Sequence, residues 1–357
     1  MKQAKHGGNA DDLARTYGLN KAELNDFSAN INPLGISPAA KSAITTSFDE
    51  ILNYPDLTYH DLKKSIAGYE QIDAENVMLG NGGAEVIFNL ARALKPRKAL
   101  LFAPTFSEYE EALKTQNADI TYYQLQAANN FNYDIGVLDA ITDDIDVMFL
   151  CSPNNPSGNI VELEVLEKIL EQTLEAQVFL IIDESFMDFV ENCDMISAKR
   201  YIEKYENLII IKSATKFFAI PGLRIGYAYT KSLEIIEAYS KEVVPWCINS
   251  FANVAFMATA TDRNYLEQSR KFISEQKIKL YNELCKIAGL YPIRPTANFI
   301  LFRIDKAIDL QSEMMKHNVL IRSCSNYISL GDNYYRVAVR TDNENAILID
   351  ALNSCLK

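Results

Sequence analysis

The chain has 357 residues, 48% of them hydrophobic and 23% charged, with 35 Lys plus Arg against 47 Asp plus Glu and a net charge of −12. This is ordinary globular composition, in a length that suits one large domain or two sharing a core. The acidic balance excludes a general basic surface for nucleic acid or an anionic membrane, so any cations that hold an anionic ligand must be local.

Residues 1–12 are polar and lack the apolar run of a signal peptide, and the longest apolar runs, such as residues 178–182, are far too short to cross a bilayer. A cytoplasmic location is expected. Cys151, Cys193, Cys247, Cys285, Cys324 and Cys355 are scattered without a C-x-x-C pair, and are expected to be reduced thiols. His6, His60 and His317 stand far apart, so no metal-ligand spacing arises and no metal is expected; no special role falls to His60 or His317.

The first 45 residues are loop-rich. From about residue 75 to 230, short apolar runs alternate with helix-like segments. Residues 99–103, 147–150, 178–182, 208–211 and 226–229 are strand-length and apolar throughout, as strands covered on both faces are. Residues 84–94 and 163–175 between them carry apolar residues at helical spacing. This alternation predicts an α/β fold with a mostly parallel sheet flanked by helices, whose ligand sits at the carboxyl ends of the strands. Beyond it, residues 262–288 read as one long helix, followed by a strand at 299–303, a helix at 309–317, strands near 319–321 and 335–339, and a last helix from Asn343. That is an α+β pattern. The division expected is a large α/β domain over residues 46–249 and a smaller α+β domain made of residues 1–45 and 250–357, the N-terminal part packing on the C-terminal one.

Chemistry-bearing residues follow the strands in turn. Gly80-Asn81-Gly82-Gly83-Ala84-Glu85 is a glycine turn that opens a helix, where backbone N–H groups bind phosphate well. It is neither a Walker loop nor G-x-G-x-x-G, since Glu85 occupies the required glycine position. Ser152-Pro153-Asn154-Asn155-Pro156-Ser157-Gly158 is a turn that puts an Asn amide at a strand end, able to donate to an aromatic oxygen. In Asp183-Glu184-Ser185-Phe186, an acid ends a buried strand and needs a partner, which a protonated ring nitrogen would supply. Ser213-Ala214-Thr215-Lys216 places a lysine in a largely apolar stretch, where it loses its proton easily and can form an imine, and Arg224 lies eight residues on. Each motif alone is an ordinary turn, cap or surface residue. Their order matches what pyridoxal 5′-phosphate (PLP) requires: a phosphate cradle, a donor to the phenolic oxygen, a carboxylate at the pyridine nitrogen and a lysine for the aldehyde.

With these residues the chain resembles fold-type I PLP enzymes of the aspartate aminotransferase superfamily over nearly its whole length. The resemblance implies that Lys216 carries the imine, Asp183 partners the pyridine nitrogen and Asn155 donates to the ring oxygen. It assigns Gly82, Gly83, Ser213 and Arg224 to the phosphate, and stacks Phe106 of Pro104-Thr105-Phe106 on the ring. Tyr54, in Asn53-Tyr54-Pro55-Asp56, would reach the phosphate in the neighbouring subunit of a homodimer, and Arg336 would pair with the substrate carboxylate. One position departs: many relatives have Tyr three residues after the Asp, and here it is Phe186, which leaves Asn155 as the main side-chain donor to the ring oxygen.

A narrower resemblance lies in His6-Gly7-Gly8-Asn9, in residues 26–35 (DFSANINPLG), in Leu320-Ile321-Arg322-Ser323-Cys324 and in residues 334–340 (YYRVAVR). These look like the L-threonine-O-3-phosphate decarboxylase family of cobalamin biosynthesis. The resemblance implies that His6, Gly7, Asn30, Asn155, Arg322 and Arg336 touch the substrate, His6 and Arg322 at its phosphate. The sister family, histidinol-phosphate aminotransferase, shares the core motifs, and decarboxylation of serine phosphate, one methyl smaller, also stays open. The S-x-x-K look of residues 213–216 also fits penicillin-binding hydrolases, but the S-D-N and K-T-G those enzymes need are missing. A PLP-binding regulator would need an added DNA-binding domain, and nothing in the sequence resembles one.

Overall fold

The computed structural model describes residues 7–357. A short strand, β1 (Asn25–Asp26), precedes seven strands that form the central sheet: β2 (Val77–Gly80), β3 (Lys98–Ala103), β4 (Asp119–Gln124), β5 (Val147–Cys151), β6 (Phe179–Asp183), β7 (Leu208–Ser213) and β8 (Gly226–Tyr229). Their order is β2-β8-β7-β6-β5-β3-β4, and β8 runs antiparallel to both its neighbours while β3 to β7 pair in parallel. The sheet is thus mostly parallel, as expected.

The uninterrupted apolar runs follow from burial on both faces. Leu100, Phe102, Met148, Leu150, Leu180, Ile182 and Ile210 enter one hydrophobic cluster, and Leu101, Phe149, Ile181, Ile209 and Ile211 enter another. Helices Gly83–Leu94 and Leu163–Glu175 lie close to their expected bounds. Strand β4 was not among the expected runs. Its sequence, DITYYQ, is polar and half exposed at the sheet edge, so it carries no continuous apolar signal.

After the central sheet come β9 (Leu290–Pro292), β10 (Phe299–Ile304), β11 (Val319–Leu320), β12 (Arg322–Ser323) and β13 (Tyr334–Ala338). Four of these form an antiparallel sheet in the order β12-β13-β10-β9, while β11 pairs in parallel with β1. The long helix expected over residues 262–288 is Arg263–Leu284, and a separate helix, Ser250–Thr261, precedes it. Asp262 makes the break: its side chain accepts from the Tyr265 N–H at 3.2 Å and caps the second helix. The last helix, Asp342–Leu356, starts at a capping box formed by Thr341 and Glu344.

The N-terminal segment touches both sheets. Phe27 N–H donates to the Leu320 carbonyl and Ala338 N–H to the Phe27 carbonyl, both at 2.8 Å. A few residues on, Asn32 N–H donates to the Lys216 carbonyl at 3.1 Å, and the buried Asn32 amide donates to Phe217 O, Tyr265 Oη and Ser269 Oγ. The segment therefore pins the short helix Ala214–Phe217 that carries Lys216, beyond packing on the C-terminal part.

Successive residues at a strand end leave on opposite faces. Asp183 points to one face of the sheet, and Glu184 enters an ionic cluster on the other. There the Lys212 ammonium lies 3.2 Å from Asp188 and 3.9 Å from both Glu70 and Glu184. Tyr227 donates to Glu70 at 2.5 Å, Tyr69 to Asp188 at 2.8 Å and Ser197 to Glu184 at 2.6 Å. Burial pushes the Glu70 and Glu184 carboxyls up, and it also opposes the Lys212 charge, but the surrounding carboxylates outweigh that and hold the amine charged. Lys212→Met should strand these carboxylates and cost about 3–5 kcal/mol, as breaking a buried ion pair does. A lowered urea midpoint measures it; an unchanged midpoint would show that the cluster is balanced without Lys212.

Candidate active site

The candidate residues stand at the carboxyl edge of the central sheet and in the turn after β2. Gly82 has φ +86°, the left-handed region that glycine adopts without cost, and a side chain there would collide with the Arg224 guanidinium. A Cβ on Gly83 would lie 3.3 Å from Ser213 Cβ and 3.8 Å from Ser185 Oγ. Two glycines at the start of a twelve-residue helix thus face two hydroxyls and a guanidinium. N-terminal helix amides, serine hydroxyls and an arginine fork make a donor set suited to a phosphate dianion.

Asp183 closes β6, 5% exposed, with both carboxylate oxygens held. Tyr109 Oη donates to one at 2.7 Å and the Ser185 N–H to the other at 2.8 Å. Tyr109 is itself fully buried, stacked on Phe149 at 5.0 Å and edge-on to Phe106 at 5.7 Å. Phe106 is therefore placed near Asp183 through Tyr109.

Lys216 follows β7 and donates to Thr215 Oγ1 at 3.2 Å, while Thr215 shares a 2.8 Å hydrogen bond with Ser213. Burial lowers its pKa from the ordinary 10.5 to about 8; the Arg224 and Arg336 cations press the same way and Asp183 partly opposes them. The amine is thus readily freed for nucleophilic attack.

The Asn155 side chain is nearly buried, and its oxygen accepts from two donors, Tyr327 Oη at 3.1 Å and Arg336 Nη1. Arginine can only donate, so the amide is oriented with its NH2 on the other side. Arg336 also donates through Nη2 to the Ser28 carbonyl at 2.9 Å, lies over the Phe299 ring at 5.4 Å, and keeps a buried Nε with no hydrogen-bond partner among the described residues. Arg322 is 3% exposed, donates to Asn326 Oδ1 at 2.7 Å and is the cross-strand partner of Arg336. Gly7 comes so close to the Ser28 carbonyl that no side chain fits, which brings the N-terminal segment against Arg336. Asn30 is buried, with an amide oxygen that has no partner among the described residues.

Two expected residues stand apart. His6 lies outside the described residues. Tyr54 is 81% exposed and stacks on Trp246 at 4.7 Å, away from the cluster in its own chain. Phe186 packs edge-on against Phe299 at 4.9 Å and offers no hydroxyl. Tyr109 and Tyr327 were not among the expected residues. Tyr109 carried a usable signal, one helical turn after Phe106 in the P-T-F-S-E-Y stretch; Tyr327 carried none.

A phosphate cradle, a held carboxylate, an oriented amide and a lysine of lowered pKa are the groups PLP needs, and the residues present fit it. The chain matches the aminotransferase class I and II family over residues 22–352. It belongs to that family. It is 35% identical to a threonine-phosphate decarboxylase from Salmonella typhimurium, over 98% of this chain and 96% of the relative. Among solved structures it is similar to a histidinol-phosphate aminotransferase from Clostridium acetobutylicum (32% identity, TM-score 0.87, 92% of this chain and 98% of that one) and to a decarboxylase from Sulfurospirillum multivorans (26% identity, TM-score 0.88, 100% and 94%). The chain is a PLP-dependent enzyme with the fold of type I PLP enzymes, as its motifs implied. No helix among the described residues is long and apolar enough to cross a membrane.

A lysine that titrates near 8 sets a pH dependence. Below that value Nζ is charged and cannot attack the PLP aldehyde; above it Nζ is neutral. PLP uptake by the apoenzyme should therefore quicken with rising pH and level off above a midpoint of about 8. Stopped-flow absorbance measures the rate, and a rate still climbing toward pH 10 would contradict the lowered pKa.

Proposed function

We propose that the chain decarboxylates L-threonine O-3-phosphate to (R)-1-amino-2-propanol O-phosphate and CO2, in cobalamin (cobamide) biosynthesis. The observation that carries this reading is the pair Arg322 and Arg336. They are directly opposed on paired strands, both nearly buried, and like charges so placed repel. A substrate with a carboxylate and a phosphate would neutralise both. The similarity to a threonine-phosphate decarboxylase over nearly the whole chain points the same way.

In this reading Gly82, Gly83, Ser213 and Arg224 hold the PLP phosphate, Phe106 lies on the ring, Asn155 donates to the ring oxygen and Asp183 keeps the pyridine nitrogen protonated. Bound there, PLP supplies an electron sink for the electrons of a broken bond at the substrate Cα. Arg336 binds the carboxylate. Arg322, with His6, binds the phosphate, and Asn30 and Gly7 line the same space. Two anchors on one small molecule fix the torsion about N–Cα, and that torsion decides which bond breaks. With the Cα–carboxylate bond aligned, CO2 leaves and Lys216 Nζ delivers the proton that replaces it at Cα. With the Cα–H bond aligned, the same Nζ would remove that proton and begin a transamination.

The exposed stack of Tyr54 on Trp246, with exposed Leu52, Leu57 and Val244, suits a face covered by a second copy. The working unit is then a homodimer in which Tyr54 reaches the partner's PLP phosphate.

The similarity to a histidinol-phosphate aminotransferase supports a second reading, transamination with 2-oxoglutarate. Incubation with phosphothreonine, phosphoserine and histidinol phosphate side by side separates the readings. Phosphothreonine should release one CO2 per amine formed with no keto acid consumed; keto-acid consumption without CO2 would establish the aminotransferase. Phosphoserine should react more slowly, since one methyl is worth about 1–3 kcal/mol in a pocket. Arg322→Ala should raise KM for phosphothreonine roughly 10- to 150-fold, the loss of a charge-assisted hydrogen bond of about 1.5–3 kcal/mol. An unchanged KM would remove Arg322 from the phosphate.

A further inference from the structure

Phe186 stands where many relatives carry a tyrosine that donates to the PLP ring oxygen, and it is packed against Phe299. A different phenol reaches the same neighbourhood. Tyr327 Oη lies 3.1 Å from Asn155 Oδ1, and the Arg322 guanidinium lies 5.8 Å from the centre of its ring. Arg336 can only donate to the same amide oxygen, so that oxygen faces both residues and the phenol donates its proton to it. The direction of this bond, Tyr327 to Asn155, is therefore fixed. Both residues are nearly buried, at 8% and 7% exposure, where little water competes.

We propose that Tyr327 is a positioning residue that holds and polarises the Asn155 amide, in partial replacement of the phenol absent at Phe186. This rests on the reading of Asn155 as the donor to the PLP ring oxygen. A donor on an amide oxygen draws electron density from the nitrogen and makes its N–H a stronger donor, because hydrogen bonds in a chain polarise one another.

The test reads the pH midpoint of the visible absorbance of PLP-loaded enzyme. A donor on the ring oxygen weakens its hold on the chromophore's proton, so losing that donor raises the midpoint. Asn155→Ala should raise it clearly. Tyr327→Phe, which keeps the buried ring, should raise it by a smaller amount, since polarisation strengthens a bond by about 10–30%. In the double variant the midpoint should equal that of Asn155→Ala alone. A Tyr327→Phe midpoint equal to the parent's beside a clear Asn155→Ala shift would overturn the proposal. So would shifts that add in the double variant. A silent Asn155→Ala would instead overturn the reading of Asn155 as the ring-oxygen donor, and the Tyr327 proposal with it.

Discussion

The Arg336 guanidinium joins three parts of the chain that are distant in sequence. It leaves β13 of the small sheet, donates to the Ser28 carbonyl of the N-terminal segment and donates to the Asn155 amide in the turn after β5 of the large sheet. A nearly buried cation is costly unless its donors are used. Two of its nitrogens are satisfied by the protein, and its Nε has no partner among the described residues. The same constraint that locks these parts together therefore leaves a buried cation whose hydrogen bonds are not all used among the described residues.

The central sheet meets the other half of the requirement by the alternation of its strands. Asp183 and Glu184 are neighbours in sequence, yet one is held by Tyr109 and the Ser185 amide and the other is buried with Lys212 behind the sheet. Ser213 and Lys212 divide in the same way at the end of β7: Ser213 faces Gly83, and Lys212 neutralises carboxylates. Acidic and basic groups sit on both faces of these strand ends. One face is closed and internally paired; the other keeps a lysine amine, a carboxylate, an amide and two guanidiniums within one region. The closed face stabilises the fold, and the open one is where, in the proposed reading, a charged cofactor and substrate complete the pairing.

Much of this was readable in the chain before its structure. Strands covered on both faces appear as unbroken apolar runs, and the residue after each run sits at a sheet edge; this is why Asn155, Asp183 and Lys216 could be named from order alone. What escaped has physical reasons. Strand β4 lies at an edge and is half exposed, so no apolar run marks it. The break at Asp262 depends on one side-chain cap inside a stretch that is otherwise helical on both sides. Tyr109 and Tyr327 act through partners 74 and 172 residues away in sequence, and no local pattern shows such a pairing. Tyr54 was assigned to the neighbouring subunit's site only through family resemblance, since a residue meant to act across a subunit boundary leaves no trace in the spacing of its own chain.

The account stands or falls on Lys216 as the residue that bonds PLP. Borohydride reduction of the PLP-loaded enzyme, followed by proteolysis and mass mapping, locates that bond directly. The pyridoxyl group should be found on the peptide containing Lys216 and on no other. A label on a different lysine, or full PLP binding with no reducible bond, would contradict it.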